Sequence, residues 1–239
     1  MFRAISWVQE IAGVALAVCL VVLGFQWTAG AAESAVSLPA PVSDAAKQAG
    51  PLQTAVLAGG CFWGVQGVFE HVKGIRRVLS GYSGGEQSSA EYEIVGSGTT
   101  GHAESVQIVY DPKEVTYGEL LRVFFSVAHD PTQLDRQGPD RGSQYRSSIF
   151  YANDAQRKIA ASYIAQLNNA KVFSKPIATR LDPLKRFYPA EDYHQDFLIN
   201  NPHHPYIVFN DLPKIRNLQR IYPDIYADAP VTVTAVVAR

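Results

Sequence analysis

The chain has 239 residues, of which 47% are hydrophobic and 18% are charged, which supplies a sizeable core and excludes general disorder. Its formal net charge is -1 and it lacks a long basic run, so its charge does not indicate binding to nucleic acid or to an anionic membrane surface. The only cysteines are Cys19 and Cys61, which excludes a disulfide framework.

The N-terminal segment has the pattern of a targeting sequence. Arg3 precedes a nearly unbroken apolar run over residues 11–25, which is followed by Ala29-Gly30-Ala31-Ala32. A positive start, an apolar stretch and a small-residue site are typical of a secretory signal peptide. We therefore predict that residues 1–32 direct export to the periplasm or the extracellular space. The alternative is an uncleaved membrane anchor, because residues 11–27 lie near the lower limit of about 17 residues for a membrane-spanning helix.

The rest of the chain divides into three parts by composition. Residues 33–51 are rich in Ala, Ser and Pro without sustained periodicity, which predicts a flexible linker. One folded domain is expected over residues 52–226, in line with the usual domain length of about 100 to 200 residues. Residues 227–239 form a tail, and its apolar part is compatible with either a strand or a frayed end.

Apolar spacing predicts the order of strands and helices within the domain. Strands are predicted over residues 54–58, 75–79, 103–110 and 145–152, and helices over residues 65–72, 117–128 and 154–168. We expect Asp154 to cap the last of these helices, the glycines of residues 81–85 to form a loop, and residues 191–198 to form a short helix. This order predicts an α+β fold, a two-layer sandwich of the split β-α-β (ferredoxin-like) kind with an irregular C-terminal segment.

Cys61 stands at the start of a predicted helix. It follows Gly59 and Gly60, so its sulfur faces backbone N–H groups and the positive end of the helix dipole, which favours the thiolate over the thiol. A reactive cysteine fits this position. A buried structural cysteine is the alternative, because free cysteine packs as a small hydrophobe.

Five further residues fit a site around such a sulfur. Phe62 and Trp63 offer an aromatic floor for a small apolar group such as an S-methyl. Glu104 enters a predicted strand, where burial would keep its carboxyl protonated as an acid. Tyr92 and Tyr145 offer phenolic donors to an oxygen on which negative charge develops. Each of these residues also has an ordinary explanation in a core or on a surface.

Several short motifs follow one another in a fixed order along residues 54–201. They are Gly60-Cys61-Phe62-Trp63-Gly64, Gly81-Tyr82-Ser83-Gly84-Gly85, Tyr92 with Gly101-His102-Ala103-Glu104, His129-Asp130-Pro131-Thr132-Gln133, Arg136-Gln137-Gly138, Asp140 with Gln144-Tyr145-Arg146-Ser147, and Ala190-Glu191 with Tyr193-His194-Gln195. In this order and spacing they resemble the A-type peptide methionine sulfoxide reductases. The resemblance implies that the domain reduces the S epimer of methionine sulfoxide, in oxidised proteins, in peptides and as the free amino acid.

The resemblance also implies a role for each matching residue. Cys61 would be the thiolate that attacks the sulfoxide sulfur, and Glu104 the acid that protonates its oxygen, a pairing that makes the sulfur electrophilic enough for attack. The other matching positions have supporting roles: Tyr92 and Tyr145 hydrogen bond to the oxygen, Phe62 and Trp63 hold the methyl group, and Asp140 orients the site. Cys61 would leave this step as a sulfenic acid.

The chain departs from the family pattern in its C-terminal part. Many members hold resolving cysteines there, whereas residues 200–239 contain none. We therefore predict that an external thiol, thioredoxin-like or small, reduces the Cys61 sulfenic acid. No bound cofactor and no metal are expected.

Two other functions compete with this interpretation. The first is a cysteine-dependent hydrolase in which His102, His129 or His194 serves Cys61 as the base. The second is a non-catalytic protein that binds oxidised protein segments through its aromatic residues.

Overall fold

The structure is a computed structural model that describes residues 35–233 of the chain. The predicted signal peptide or anchor of residues 1–32 lies outside the described residues. Within residues 35–233, no helix has both the length and the apolarity needed to span a membrane.

The described residues form eight strands and six α-helices. The strands are β1 (Gln53–Gly59), β2 (Ile75–Ser83), β3 (Ala103–Tyr110), β4 (Arg136–Gln137), β5 (Asp140–Arg141), β6 (Ser147–Tyr151), β7 (Arg180–Pro183) and β8 (Phe187–Pro189). The helices are α1 (Phe62–Glu70), α2 (Tyr92–Val95), α3 (Tyr117–Val123), α4 (Asp154–Asn169), α5 (Phe197–Asn200) and α6 (Leu212–Ile221). A π-helical turn, Phe124–Ala128, continues α3, and another, Ile207–Asp211, leads into α6.

The sheet confirms the predicted α+β fold. Its six strands lie in the order β7-β6-β1-β3-β2-β8, while β4 and β5 form a separate hairpin. The four central strands are antiparallel, with α1 joining β1 to β2 and α3 lying between β3 and β6 in the chain, which is the split β-α-β arrangement. Only β6 and β7 pair in parallel. Apolar residues of β1, β3, α1 and α3 are buried together in the main core.

Two local predictions about turns and caps are wrong. Residues 81–83 were expected in a loop, yet β2 continues through Ser83 and pairs with β8. Gly81 permits this pairing, because a Cβ there would lie 2.3 Å from the carbonyl oxygen of Tyr188. The cap of α4 is Asn153 rather than Asp154, since the Asn153 side chain accepts a hydrogen bond from the amide of Gln156 at 2.9 Å.

The short helix predicted over residues 191–198 is interrupted. A 3₁₀ turn, Asp192–His194, is separated from α5 by Asp196, whose φ of 54° lies in the left-handed region. A left-handed residue ends a right-handed helix, so two short pieces replace one.

Residues 35–48 pack on the domain, so the prediction of a flexible linker is corrected for this part of the chain. Leu38 is 1% exposed, and its carbonyl accepts a hydrogen bond from Arg122 Nε at 2.7 Å. The Tyr163 hydroxyl donates to the carbonyl of Pro39 at 2.8 Å. Asp44 accepts from the amide of Gly118, in the first turn of α3, at 2.9 Å. We call this segment the N-terminal strap.

The chain beyond α6 packs against the end of α1. The amide of Ala227 donates to the carbonyl of His71 at 2.8 Å, and that of Val231 to the carbonyl of Glu70 at 2.9 Å. The amide of Val233 donates to Asp196 Oδ1 at 3.0 Å. These bonds hold the predicted tail in place as far as residue 233.

Candidate active site

Cys61 occupies the N-cap position of α1, directly after β1. Gly60 makes the turn between them with a φ of 92°, and a Cβ there would lie 2.5 Å from Gln137 Cγ. Glycine is therefore required both for the backbone conformation and for the space. Cys61 is half-buried and is the only cysteine among residues 35–233.

Glu104 lies in β3 and is 3% exposed. Its Oε2 accepts a hydrogen bond from the amide of Phe62 at 3.0 Å, which brings the carboxyl to the first turn of α1. Burial raises the pKa of Glu104 to about 8; the hydrogen bond from Phe62 opposes this, and the charge of Asp140 adds to it. Glu104 is thus a neutral acid near pH 7, able to donate a proton.

The electrostatic surroundings of Cys61 differ from the expectation that its thiolate is favoured. Burial of the sulfur raises its pKa well above the usual value, and the carboxylates of Glu104, Asp211 and Asp140 raise it further. A hydrogen bond from the backbone of Trp63, at the start of α1, has the opposite effect. Desolvation and three acidic groups outweigh the helix terminus, so the resting residue is a thiol.

The two aromatic residues after Cys61 face different surroundings. Phe62 is buried, with its ring centroid 5.0 Å from that of His194. The Trp63 indole stacks on Phe197 with centroids 3.8 Å apart, and its Nε1 donates to His194 Nδ1 at 3.1 Å. Stacking and the hydrogen bond fix the Trp63 ring, so it is a rigid, partly exposed aromatic surface beside Cys61.

The two predicted phenols lie near the Cys61–Glu104 pair. Burial raises the pKa of Tyr92 to about 12, and the charges of Glu104 and Cys61 contribute. Burial also raises the pKa of Tyr145, again with contributions from Glu104 and Cys61. Both phenols keep their protons at neutral pH and are hydrogen-bond donors there.

Asp140 lies in β5 and is joined to a tyrosine that the sequence gave no reason to select. The Tyr206 hydroxyl donates a short hydrogen bond to Asp140 Oδ2. Burial raises the pKa of Asp140, while the Tyr206 hydrogen bond and the Lys214 charge lower it. The structure thus brings all seven predicted site residues to one region around the start of α1.

Comparison with known proteins decides the family. A sequence model described as peptide methionine sulfoxide reductase matches residues 53–224. The chain belongs to this family. It is 62% identical over 181 residues to peptide methionine sulfoxide reductase MsrA 2 of Mesorhizobium japonicum, covering 76% of this chain and 93% of that protein. The protein of the same name from Synechocystis is 52% identical over 184 residues, covering 77% of this chain and 85% of its own length.

Solved structures of similar proteins share the fold. A reduced form of Mxr1 from Saccharomyces cerevisiae is similar with a TM-score of 0.58 and 35% identity, over 66% of this chain and 91% of that one. Methionine sulfoxide reductase A of Corynebacterium diphtheriae has a TM-score of 0.56 and 32% identity, over 75% of this chain and 92% of that one. This member of the peptide methionine sulfoxide reductase family is therefore an oxidoreductase.

The candidate site also contains residues that the sequence analysis missed. Asp211 is completely buried, and its Oδ1 lies 3.1 Å from Lys214 Nζ. Glu191, quoted within a motif but given no role, accepts from the Tyr82 hydroxyl at 2.8 Å and from the amide of Tyr92 at 2.9 Å. For Asp211, Lys214 and Tyr206, no local pattern reveals that the π-helical turn Ile207–Asp211 and the residues on either side of it lie close to α1.

The histidines of this reductase have structural partners. His102 accepts from the amide of Gly85 at 3.2 Å through Nδ1, and its Nε2 lies 3.0 Å from the carbonyl oxygen of Glu86. The ring nitrogens of His129 lie 3.1 Å from the Phe124 carbonyl oxygen and 2.7 Å from Ser147 Oγ, and burial lowers its pKa to about 3. Neither of these two rings has a nitrogen left to serve Cys61 as a hydrolytic base. The third candidate, His194, accepts from Trp63 Nε1 through Nδ1, and its Nε2 has no hydrogen-bond partner among the described residues.

Among residues 35–233, no three or more His, Cys, Asp or Glu side chains are grouped to hold a metal ion.

Proposed function

We propose that this reductase acts on the S epimer of methionine sulfoxide, in oxidised proteins and peptides and as the free amino acid, with Cys61 as nucleophile. The observation that carries the proposal is the link between nucleophile and acid. Glu104 is bound at 3.0 Å to the amide of Phe62, the residue next to Cys61, and is neutral near pH 7. A thiol and a proton donor thus lie at the same helix terminus.

The reaction balances with these two groups. The Cys61 sulfur attacks the sulfoxide sulfur while Glu104 gives its proton to the oxygen, which weakens the S–O bond. The S–O bond breaks and the oxygen leaves as hydroxide, which then attacks the Cys61 sulfur. The new bond between the two sulfurs breaks, methionine leaves as the sulfide, and Cys61 becomes a sulfenic acid. The sulfoxide gains two electrons and Cys61 loses two. The proton released by the thiol restores Glu104.

Aromatic and phenolic groups define the substrate position. Phe62 and the fixed Trp63 ring suit the methyl and thioether parts of the substrate through sulfur–aromatic contact. Tyr92 and Tyr145 remain protonated and are suited to hydrogen bond the oxygen as negative charge develops. Asp140, joined to Tyr206, supports this arrangement.

Recycling is proposed to use an external thiol, either a thioredoxin-like dithiol or a small thiol. The donor thiol attacks the Cys61 sulfenic sulfur, water leaves, and a mixed disulfide forms. A second thiol of the donor then releases Cys61. The sequence supports this route because its only other cysteine is Cys19, in the N-terminal apolar run. That run also supports our proposal of export, through the segment of residues 1–32.

The test is turnover of a sulfoxide-containing peptide, with the two epimers assayed separately. We expect the S epimer to be reduced by wild type and by Cys19→Ser, and Cys61→Ser to be inactive. Intact mass after one turnover without reductant should show one added oxygen on the Cys61 peptide. Full activity in Cys61→Ser would refute the assignment, and a Cys19–Cys61 disulfide would refute the recycling route.

A further inference from the structure

Asp211 lies against the first turn of the helix that Cys61 begins. It is the last residue of the π-helical turn Ile207–Asp211 and is completely buried. Its Oδ1 would be only 2.0 Å from a Cβ placed on Gly64. Gly64 is the third residue of α1, so the absence of a side chain there lets the carboxylate sit on the helix terminus.

The carboxylate has one charged partner and one oxygen without a hydrogen-bond partner. Lys214 Nζ lies 3.1 Å from Oδ1 and is itself only 8% exposed. Asp211 Oδ2 is buried without a hydrogen-bond partner among the described residues. Burial raises the pKa of Asp211, and the charge and hydrogen bond of the Lys214 ammonium oppose this and favour the ionised carboxylate. The pair therefore places a carboxylate and an ammonium together against Gly64, with no net charge between them.

The Asp211 carboxylate opposes a thiolate on Cys61. The N-terminus of a helix carries about half a positive charge, which stabilises a thiolate at the N-cap, and an unpaired ammonium beside the first turn would add to it. Asp211 cancels the charge of the Lys214 ammonium and interacts with the positive helix terminus, so neither charge is left to favour the thiolate. In agreement, the Asp211 charge contributes to the raised pKa of Cys61.

We propose that Asp211, held by Lys214, keeps Cys61 in its thiol form in the resting enzyme and thereby limits oxidation of the sulfur by peroxide. This inference rests on the proposed role of Cys61 as nucleophile. Peroxide oxidation begins when a thiolate attacks a peroxide oxygen; the O–O bond breaks, a sulfenic acid forms, and the departing hydroxide becomes water with the thiol proton. A thiol is far less reactive in this step. Slow oxidation by peroxide matters for Cys61, because residues 35–233 hold no second cysteine that could trap its sulfenic acid as a disulfide before further oxidation.

Other ionisable groups also face Cys61, and the test must separate them from Asp211. They are Glu104 from β3, Asp140 from β5, and the phenols Tyr92, Tyr145 and Tyr206, with Lys214 acting on both Asp140 and Asp211. In the proposed function, Glu104, Tyr92 and Tyr145 contact the substrate oxygen. Asp211 instead lies against Gly64 in the first turn of α1, so its charge can be removed without removing a proposed substrate contact.

The experiment measures the pH dependence of Cys61 alkylation by iodoacetamide in the full chain, with the Cys61 peptide followed by mass spectrometry so that Cys19 does not interfere. The measured quantity is the midpoint, the pH at which Cys61 is alkylated at half its maximal rate. Asp211→Asn removes the charge at nearly constant shape, and we expect its midpoint to fall by about one pH unit. Lys214→Gln leaves the Asp211 carboxylate without its cation, and its midpoint should rise. Lys214→Arg keeps the charge and should leave the midpoint unchanged. Below both midpoints, a fall of one unit corresponds to about tenfold faster alkylation and peroxide oxidation in Asp211→Asn.

Opposite shifts in Asp211→Asn and Lys214→Gln would support the proposal, because loss of packing alone would move both midpoints in the same direction. An unchanged or raised midpoint in Asp211→Asn would overturn it. If Asp211→Asn does not fold, as judged by thermal unfolding, the two Lys214 variants decide: a higher midpoint in Lys214→Gln than in Lys214→Arg supports the proposal, and equal midpoints overturn it. Alkylation requires no turnover, so its result is independent of whether Cys61→Ser abolishes sulfoxide reduction.

Discussion

Glu104 accepts a hydrogen bond from the backbone amide of Phe62 at 3.0 Å, so the proposed acid is tied to the first residue of the helix that Cys61 begins. A shift of α1 would move the proposed nucleophile and the proposed acid together. Their relative position therefore depends on the β3–α1 contact.

The pH dependence of turnover should report the protonation state of Glu104. Because its pKa is raised to about 8, the acid form is present below pH 8 and is lost as the pH rises through that value. We expect the slope of log rate against pH for the oxidation step in wild type to decrease at about pH 8, because the acid form is lost there while the thiolate fraction of Cys61 still grows. Glu104→Gln should lack this change of slope and lose about 10²- to 10⁴-fold at pH 7. Single-turnover kinetics of peptide sulfoxide reduction would measure both effects. Glu114→Gln, at an exposed carboxylate paired with Arg76, serves as the control and should keep the wild-type profile.

Trp63→Phe should weaken substrate binding more than it slows the chemical step. Phenylalanine keeps an aromatic ring against Phe197 but cannot donate to His194 Nδ1, which loses its partner. A buried polar atom left without a partner costs about 1–3 kcal/mol, which loosens the aromatic surface. We expect a raised KM with a smaller change in kcat, measured by steady-state kinetics. Tyr193→Phe, at the exposed ring next to His194, should change neither, and an unchanged KM in Trp63→Phe would refute this role.

Gly64→Ala should destabilise the fold. The added Cβ would meet Asp211 Oδ1 at 2.0 Å and Lys214 Nζ at 3.0 Å, in a buried place with no room to relax. Overpacking of this kind costs about 1–3 kcal/mol of unfolding free energy. Urea unfolding would measure it, with Gly50→Ala as the matched control because a Cβ there has no atom within 4 Å. Equal stability of the two variants would contradict the buried placement of Asp211.

Asp44→Ala should lower stability through the N-terminal strap. Asp44 accepts from the amide of Gly118 and from the Thr116 hydroxyl, and so adds to the capping of α3. Loss of a capping carboxylate costs about 1 kcal/mol. Lys47→Ala, which removes an exposed ion pair with Glu119, should cost less than about 1 kcal/mol. Denaturant midpoints of the two variants would compare them, and no loss in Asp44→Ala would show that the strap does not contribute.

The central strands and helices were predicted well, because the spacing of apolar residues was enough to identify them. Strand β3 has both predicted ends, residues 103 and 110, because these residues form one continuous, mostly buried run. The split β-α-β order followed from the same patterns. Glycine content predicted loops less reliably. Gly81 indicated a loop, whereas in the structure it lies in β2, where the absence of a side chain allows close pairing with β8. The Ala, Ser and Pro content of the N-terminal strap wrongly predicted a flexible linker, because its contacts with the domain are made by only a few residues such as Leu38.

Only those residues of the candidate site that lie within recognisable motifs could be predicted from the sequence. Cys61 and Glu104 stood in such motifs, and the structure places them together. Asp211 and Lys214 lie about 150 residues from Cys61 in an ordinary polar-apolar stretch, so only the tertiary fold reveals their position. The protonation of Cys61 was mispredicted for the same reason, because the helix terminus is visible in sequence and the opposing carboxylates are not.

The N-terminal strap has a practical consequence for anyone shortening this chain. The family match begins at residue 53, and a protein cut there would lose Leu38 from the main core and the partner of the Arg122 guanidinium. Such a truncation would expose apolar surface on α3 and α4 and invite self-association. Recombinant versions meant to represent the native enzyme should therefore start before residue 35, well upstream of the conserved-family boundary.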